Sequence, residues 1–402
     1  LSLTDLLSCQ YCATVHALRP VRAAVIDCHV CGSGLERLTG RSLDRALAMS
    51  VTALVLLLPA NGLPFLTTRL FGAAEHSHLI SSAQILWNEG WPGVAVVITL
   101  LVMVLPIMRF CLLTAVLGAL RLGWRPPWLG PTFRWSNELQ TWAMADVFLV
   151  AFLIAYARLA ATVSVTLGPG AYCLIAAGIF ILLSRATLDK AAIWRMIQAQ
   201  PPLPAAAVIS CDGCGLLTPA SEVRKPCPRC DKTLEARKKN SVGRASALTL
   251  AAVLVYVPAN VFPIATIPIN LRPTAYNILG GVIDLAGAHL YGLAGVVFIA
   301  SFAIPILKLT AMAWFIYAVR SHARKAPVLK TRLFQFVDEI GRWSMVDPFT
   351  IAAFVPVVRF NTLLTARAEM AAPFFTAVVI LTILAAKVFD PRLMWDVSEV
   401  HA

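Results

Sequence analysis

The stretch RALAMSVTALVLLLPANGLPF, residues 45–65, is written a second time at 244–264 as RASALTLAAVLVYVPANVFPI. Each copy opens on arginine, runs uncharged for long enough to cross a hydrocarbon core of about 30 Å as a helix, and reaches Pro-Ala-Asn near its end. The correspondence extends outward. LPIMRF (105–110) matches IPILKL (304–309) at the same offset of 199. TWAMADVF (141–148) then matches RWSMVDPF (342–349), and RATLDKAAIW (185–194) matches AKVFDPRLMW (386–395), at an offset of 201. A duplicated unit is the economical account.

The chain around these landmarks is apolar. Of its 402 residues 58% are hydrophobic and 14% charged, and the mean hydropathy is +0.75. A soluble domain carries roughly 25% charged residues, so the sequence describes a multispanning membrane protein. Eight runs read as spans: 46–66, 92–119, 139–157, 171–188, 245–268, 290–319, 343–358 and 372–389. Four spans per copy is an even number, which gives both copies one orientation and makes them parallel repeats. The expected fold is an all-α polytopic protein with a small ribbon before each repeat. Its divisions are 1–44 (first ribbon), 45–198 (first repeat), 199–243 (linker and second ribbon) and 244–402 (second repeat).

The net charge of +13 would suit a nucleic-acid binder, but its distribution points elsewhere. Of 34 Lys and Arg, five precede the first span, three lie between spans two and three, eleven fall from Arg185 to Arg244, and six from Arg320 to Arg342. The alternate loops hold Arg69, Arg272, Arg359 and Arg367. That asymmetry is the positive-inside pattern. It places both termini, and the central segment with both ribbons, in the cytoplasm, and leaves no role for nucleic acid. The first 44 residues are polar and cysteine-bearing, unlike a cleavable leader. Since the chain opens on Leu1, its start is expected upstream or at an unusual initiation codon.

Each repeat is preceded by two C-x-x-C knuckles. Cys9 and Cys12 pair with Cys28 and Cys31, and Cys211 and Cys214 with Cys227 and Cys230. Paired knuckles at this separation form a closed four-thiolate site, in which zinc is expected to be structural and iron is the alternative. A cytoplasmic position disfavours stable disulfides. His29 and Asp212 read as loop residues inside knuckles, and Cys111 and Cys173 as packing within spans.

Charge inside the spans is the remaining signal. Lys308 stands twelve residues before Arg320, which is roughly 18 Å along a helix. An unpaired charge at that depth costs at least about 3 kcal/mol. The expected counter-charge is Asp347, with Ser301, Ser344 and Thr382 completing a polar network. Pro305 removes the hydrogen bond to the carbonyl of Ser301. The first repeat keeps the charges as Arg109 and Asp146 but has Val102, Ala143 and Ile181 in place of the hydroxyls. Arginine does not give up its proton, whereas a buried lysine does. The first pair is therefore read as structural and the second as a proton-coupled switch. Pro59, Asn61, Pro258 and Asn260 are expected to loosen the helices they end, with asparagine bonding the freed carbonyls and span five breaking again at Pro263 and Pro268.

Two four-span repeats behind four-cysteine ribbons, with PAN-x-x-P, W-x-M-x-D and FDPRLMWD, resemble the paraquat-inducible protein A family, including the related lipophilic envelope-spanning tunnel protein A. The resemblance implies an inner-membrane component of a lipid transport system in a Gram-negative bacterium, passing phospholipid to a periplasmic MCE-domain tunnel protein. The first repeat departs from the pattern, with LDKAAIW for FDPRLMW and Val147 after Asp146. No nucleotide-binding motif and no catalytic triad is present, so neither nucleotide use nor enzymatic activity is expected. Two other readings stand beside this one. One is a proton-coupled transporter of ions or small molecules without a lipid role, and the other a redox enzyme using the cysteines to hold iron.

Overall fold

The computed structural model describes residues 6–17, 25–37, 42–70, 73–160, 165–201, 207–263, 265–269, 272–287, 289, 291–322, 326–346, 349–350 and 367–396. Among the described residues, six helices are long and apolar enough to cross a membrane: Leu43–Gly62, Pro92–Arg121, Pro169–Thr187, Ser241–Val261, Ala294–Arg320 and Ala371–Val388. The chain is a multi-pass membrane protein, mostly helical. The third expected span, 139–157, is a helix of 16 residues, Ala145–Ala160. At 1.5 Å per residue its described part is about 24 Å long. An amphipathic helix, Leu129–Leu139, and an unwound stretch precede it. The seventh expected span, 343–358, falls mainly outside the described residues, which show the 3₁₀ turn Gly341–Met345 and then helical Val346, Phe349 and Thr350.

Both long spans contain a π-helical segment, Leu100–Val104 and Ile299–Ala303, separated by the repeat offset of 199. The cause is the proline that follows. Pro106 and Pro305 have no N–H to give, and their rings crowd the carbonyl four residues back. One extra residue in the turn absorbs the mismatch, so Leu105 donates to the Leu100 carbonyl and Ile304 to that of Ile299. The Leu101 carbonyl accepts the backbone N–H of Met144 at 3.0 Å, which ties the start of the short third helix to the second.

The Pro-Ala-Asn motifs behave differently from expectation. Asn61 Nδ2 donates to the Leu57 carbonyl at 2.6 Å, and Asn260 Nδ2 to that of Tyr256 at 2.8 Å. These are the carbonyls one turn before each asparagine, not those that Pro59 and Pro258 leave without a backbone donor. The helices then end at Gly62 and Val261. Span five therefore does not break again at Pro268, which lies in a strand. Strands Leu66–Leu70, Ala73–Ser77 and Val165–Leu167 form an antiparallel sheet with the first in the middle. Ala265–Ile269, Arg272–Tyr276 and Arg367–Ala368 form its counterpart. The all-α expectation is corrected here. Chain leaving the spans at Pro64 and Pro263 is too polar for lipid, and it satisfies its backbone by pairing across the ends of the unit.

Within each half, the first and last spans pack closely. Ser42–Gly62 lies along Pro169–Thr187, and Ser241–Val261 along Ala371–Val388. Buried Ala46, Ser50, Ala53 and Ala60 line one of these faces; small residues let membrane helices approach where no hydrophobic drive exists. Ser50 and Ser184 share a hydrogen bond of 3.0 Å there. The halves meet through Met144 and Phe148 against Met345 and Phe349, with the two phenyl rings 5.8 Å apart.

The ribbons are docked crosswise. Cys9, Cys12, Cys28 and Cys31 share a core with Phe315, Phe334, Phe389 and Trp395 of the second half. Cys211, Cys214, Cys227 and Cys230 share one with Phe110, Phe133 and Trp194 of the first. Arg134 Nη1 donates to the Cys230 carbonyl at 2.9 Å, and Arg392 Nε to that of Gln10 at 3.3 Å. Gly130 lets the Leu129–Leu139 helix lie directly on the second ribbon, since a Cβ there would overlap the Arg229 carbonyl. Backbone cannot yield as a side chain does. Gly130→Ala is expected to cost about 1–3 kcal/mol, read as a lower melting temperature of the purified protein in detergent.

Candidate functional site

Each ribbon knuckle is a tight turn in which the amide one residue past the second cysteine returns to the carbonyl of the first. Ala13 donates to Cys9, Gly32 to Cys28, Gly215 to Cys211 and Asp231 to Cys227, at 2.8 to 2.9 Å. All four donors adopt left-handed backbone, with φ of 60 to 70°. The turns aim the sulfurs inward. Within each set of four the ligand atoms all lie within 4.8 Å of one another. Cys9 and Cys31, like Cys12 and Cys28, are 3.5 Å apart, and the corresponding pairs of the second set 3.6 Å. A tetrahedral ion with 2.3 Å bonds to sulfur needs a separation of about 3.8 Å, so both sets fit one.

The thiols also show why a cation belongs there. Hydrogen bonds from Cys12 and Cys31 hold Cys9 far below the ordinary thiol value, while Cys31 and Cys9 push Cys12 far above it. Cys227 and Cys214 split in the same way, through bonds among the second set. Four buried sulfurs cannot all ionise without a positive partner, and a metal displaces the shared protons. His29 bonds His16 at 3.1 Å between Nδ1 atoms, and Asp212 accepts from Lys232 at 3.1 Å; both stand apart from the sulfur sets.

The buried polar residues of the second half form a separate site. Lys308 is 2% exposed, Ser301 0%, Ser344 2% and Thr382 3%. Ser301 lies in the π-helical segment, Ser344 in the 3₁₀ turn and Thr382 on the last span, and these elements pack on one another and on the helix of Lys308. Ser301 Oγ and Ser344 Oγ make no hydrogen bond within the described protein, whereas Thr382 donates to Val379 of its own helix at 2.9 Å. Asp347 lies outside the described residues.

The ammonium of Lys308 rests against Gly341, the C-cap of the Pro327–Ile340 helix. A helix carboxyl end presents carbonyls of partial negative charge, a favourable place for a cation. Among the described residues, Asp338 is the carboxylate whose charge reaches Lys308. Neither Gly341 nor Asp338 was foreseen. Both precede the motif R-W-S-M-V-D-P-F, in a helix that reads from sequence as a solvated basic loop.

In the first half, Arg109 is 1% exposed with its guanidinium 4.9 Å from the centre of the Phe110 ring. Asp146 accepts from Arg185 Nη1 at 2.7 Å, with both side chains largely buried. Arg185 sat at the edge of a span in the sequence reading, where a basic residue is explained by topology alone. Its repeat position is Ala386, and that difference was the available signal.

Family comparison adds to this geometry. A model described as paraquat-inducible protein A matches residues 43–198 and again 242–399. The chain belongs to the paraquat-inducible protein A family. Over 401 residues it is 30% identical to the intermembrane transport protein PqiA of Escherichia coli strain K12, covering 96% of this chain and 95% of that one. It is 29% identical over 360 residues to the lipophilic envelope-spanning tunnel protein A of the same organism, covering 89% and 83%. A probable intermembrane transport protein of Haemophilus influenzae is 24% identical over 389 residues, covering 93% and 91%. No solved structure matches the fold.

Two outcomes are expected of this family member. Elemental analysis should find about two metal equivalents per chain, and Cys211→Ser with Cys214→Ser should remove one of them and lower the yield of folded protein. Gly341→Ala inserts a methyl where the Lys308 ammonium lies, and the flexible lysine gives way rather than the backbone. That variant should keep its melting temperature within a few degrees yet lose function in cells as Lys308→Ala does.

Proposed function

We propose that this chain is the inner-membrane component of an intermembrane lipid transport system in a Gram-negative bacterium. It is built as eight spans in two parallel four-span repeats, with both termini and both ribbons in the cytoplasm. Zinc closes each ribbon. The partner is an MCE-domain protein forming a periplasmic tunnel, and the cargo is membrane phospholipid. Full-length similarity to proteins named for intermembrane transport supports the class. The lipid cargo draws support from the relative named as a lipophilic envelope-spanning tunnel protein.

The observation that carries the mechanism is Lys308, buried in an apolar helix beside a π-helical turn and against a helix end. A charge is tolerated at such depth only where something compensates it, and such residues mark transport pathways. Protonation of Asp347 releases Lys308 from its counter-charge. Spans six to eight then rearrange around a lipid cavity, with Ser301, Ser344 and Thr382 lining the polar seam. Arg109 and Asp146 are the fixed structural counterpart. Pro305 supplies the yielding backbone, and Pro59, Asn61, Pro258 and Asn260 end the first span of each repeat.

Lys308→Ala and Asp347→Asn should each abolish function in a complementation assay while the protein still inserts and still binds its partner. Full activity of Lys308→Met with Asp347→Leu would reduce the pair to packing. Phospholipid bound to the purified protein, measured by mass spectrometry, separates the lipid reading from a carrier of ions or small molecules.

A further inference from the structure

A cavity of about 480 Å³ opens on the ribbon side, between the first ribbon, the chain after span Pro169–Thr187, and the Pro327–Ile340 helix. Asp189, Lys190, Asp338 and Glu339 line it, with Gln335 and Tyr11. Asp338 is exposed there. It also stands three residues before Gly341, one turn away on the same helix face, and Gly341 is where the Lys308 ammonium rests. One carboxylate therefore lines the solvent-open cavity and stands one helical turn from the residue against which the buried amine rests.

The two halves differ at these positions in one consistent sense. Lys308 corresponds to Arg109 at offset 199, while Asp338 corresponds to Asn137 and Gly341 to Gln140 at offset 201. Glu138 and Glu339, and Trp142 and Trp343, keep the same offset and fix the register. Arginine does not release its proton and an amide carries no ionisable one. Asn137 turns back on its own helix, donating Nδ2 to the Phe133 carbonyl at 2.9 Å. Both groups that can exchange a proton in the second half are thus replaced, in the first, by groups that cannot.

We propose that Asp338 is the proton relay between the cytoplasmic cavity and Lys308. This rests on the proton-coupled reading above. The Asp338 carboxylate takes a proton from water in the cavity and becomes the neutral acid. It hands that proton to the neutral amine of Lys308, which becomes ammonium while the carboxylate is restored; release runs the same steps backwards. No other reactant is consumed. The charged groups around the relay are Glu339 on its own helix, Asp189 and Lys190 across the cavity, and Lys387 on the last span, which also feels the charge of Asp338. Burial holds the Asp189 carboxyl above the usual carboxylate range. Lys190 is open to water but walled in by protein. Partial desolvation, then the charges of Arg109 and Arg185, bring its ammonium down to about 8. Asp347 has no part in this inference.

The full-length protein reconstituted into phospholipid vesicles, with a pH-sensitive dye inside, reads proton entry under an imposed pH gradient. Asp338→Asn should slow entry by about tenfold or more, and Asp338→Glu should restore most of it. Melting temperatures identify a variant that fails for want of folding, in which case Asp338→Ser replaces it. Unchanged proton entry in a folded Asp338→Asn, with Lys308→Met still inactive, overturns the relay alone. No proton entry in the unsubstituted protein overturns the proton-coupled reading on which it rests.

Discussion

A proline halfway along a membrane helix leaves a carbonyl with no donor, and lipid offers no water to supply one. Both long spans of this protein carry such a proline, and much of the interior is arranged around the repair. The helix inserts one residue, the turn widens to π, and the ladder resumes. In the first half a loosened carbonyl, that of Leu101, becomes the anchor for the start of the third helix. In the second half the same wide turn carries Ser301, and Lys308 follows about one and a half turns after its end.

The halves share a backbone plan and divide the chemistry. In the first half Asp146 is paired with Arg185, and the buried Arg109 lies by the Phe110 ring. In the second half the buried groups are Lys308, whose head lies against Gly341, and Ser301 and Ser344, whose hydroxyls make no hydrogen bond within the described protein. Gly341 sharpens the contrast, because it is the missing side chain that gives the lysine head its room.

Much of this was legible in the sequence, for physical reasons. A span needs a long uncharged run, and six runs correspond to helices, five of them within four residues of the expected ends and the one expected at 245–268 ending at Val261. The cysteine sets were legible because four sulfurs around one ion impose their own spacing. The outer sheets were not. LTTRL and AAEHS are too short and too polar to announce strands, and they pair only because the spans deliver them side by side. Neither was the Asn61 bond to Leu57 legible, since a side chain chooses among carbonyls by reach rather than by which one lacks a donor. Asp338 and Gly341 were hidden by their helix, whose basic residues read as loop until Phe334 and Val337 were seen to be buried.

The crossed ribbons bear on how the chain is made. The second ribbon emerges after its platform, Phe110, Phe133 and Trp194, already exists, and it has somewhere to dock at once. The first ribbon is synthesised before any part of its own platform, which is complete only at Phe389 and Trp395. At 5–20 residues per second it waits roughly 20–70 s, exposed and unseated. Until then the arrangement of its four cysteines must be held by the ribbon's own turns and hairpins alone.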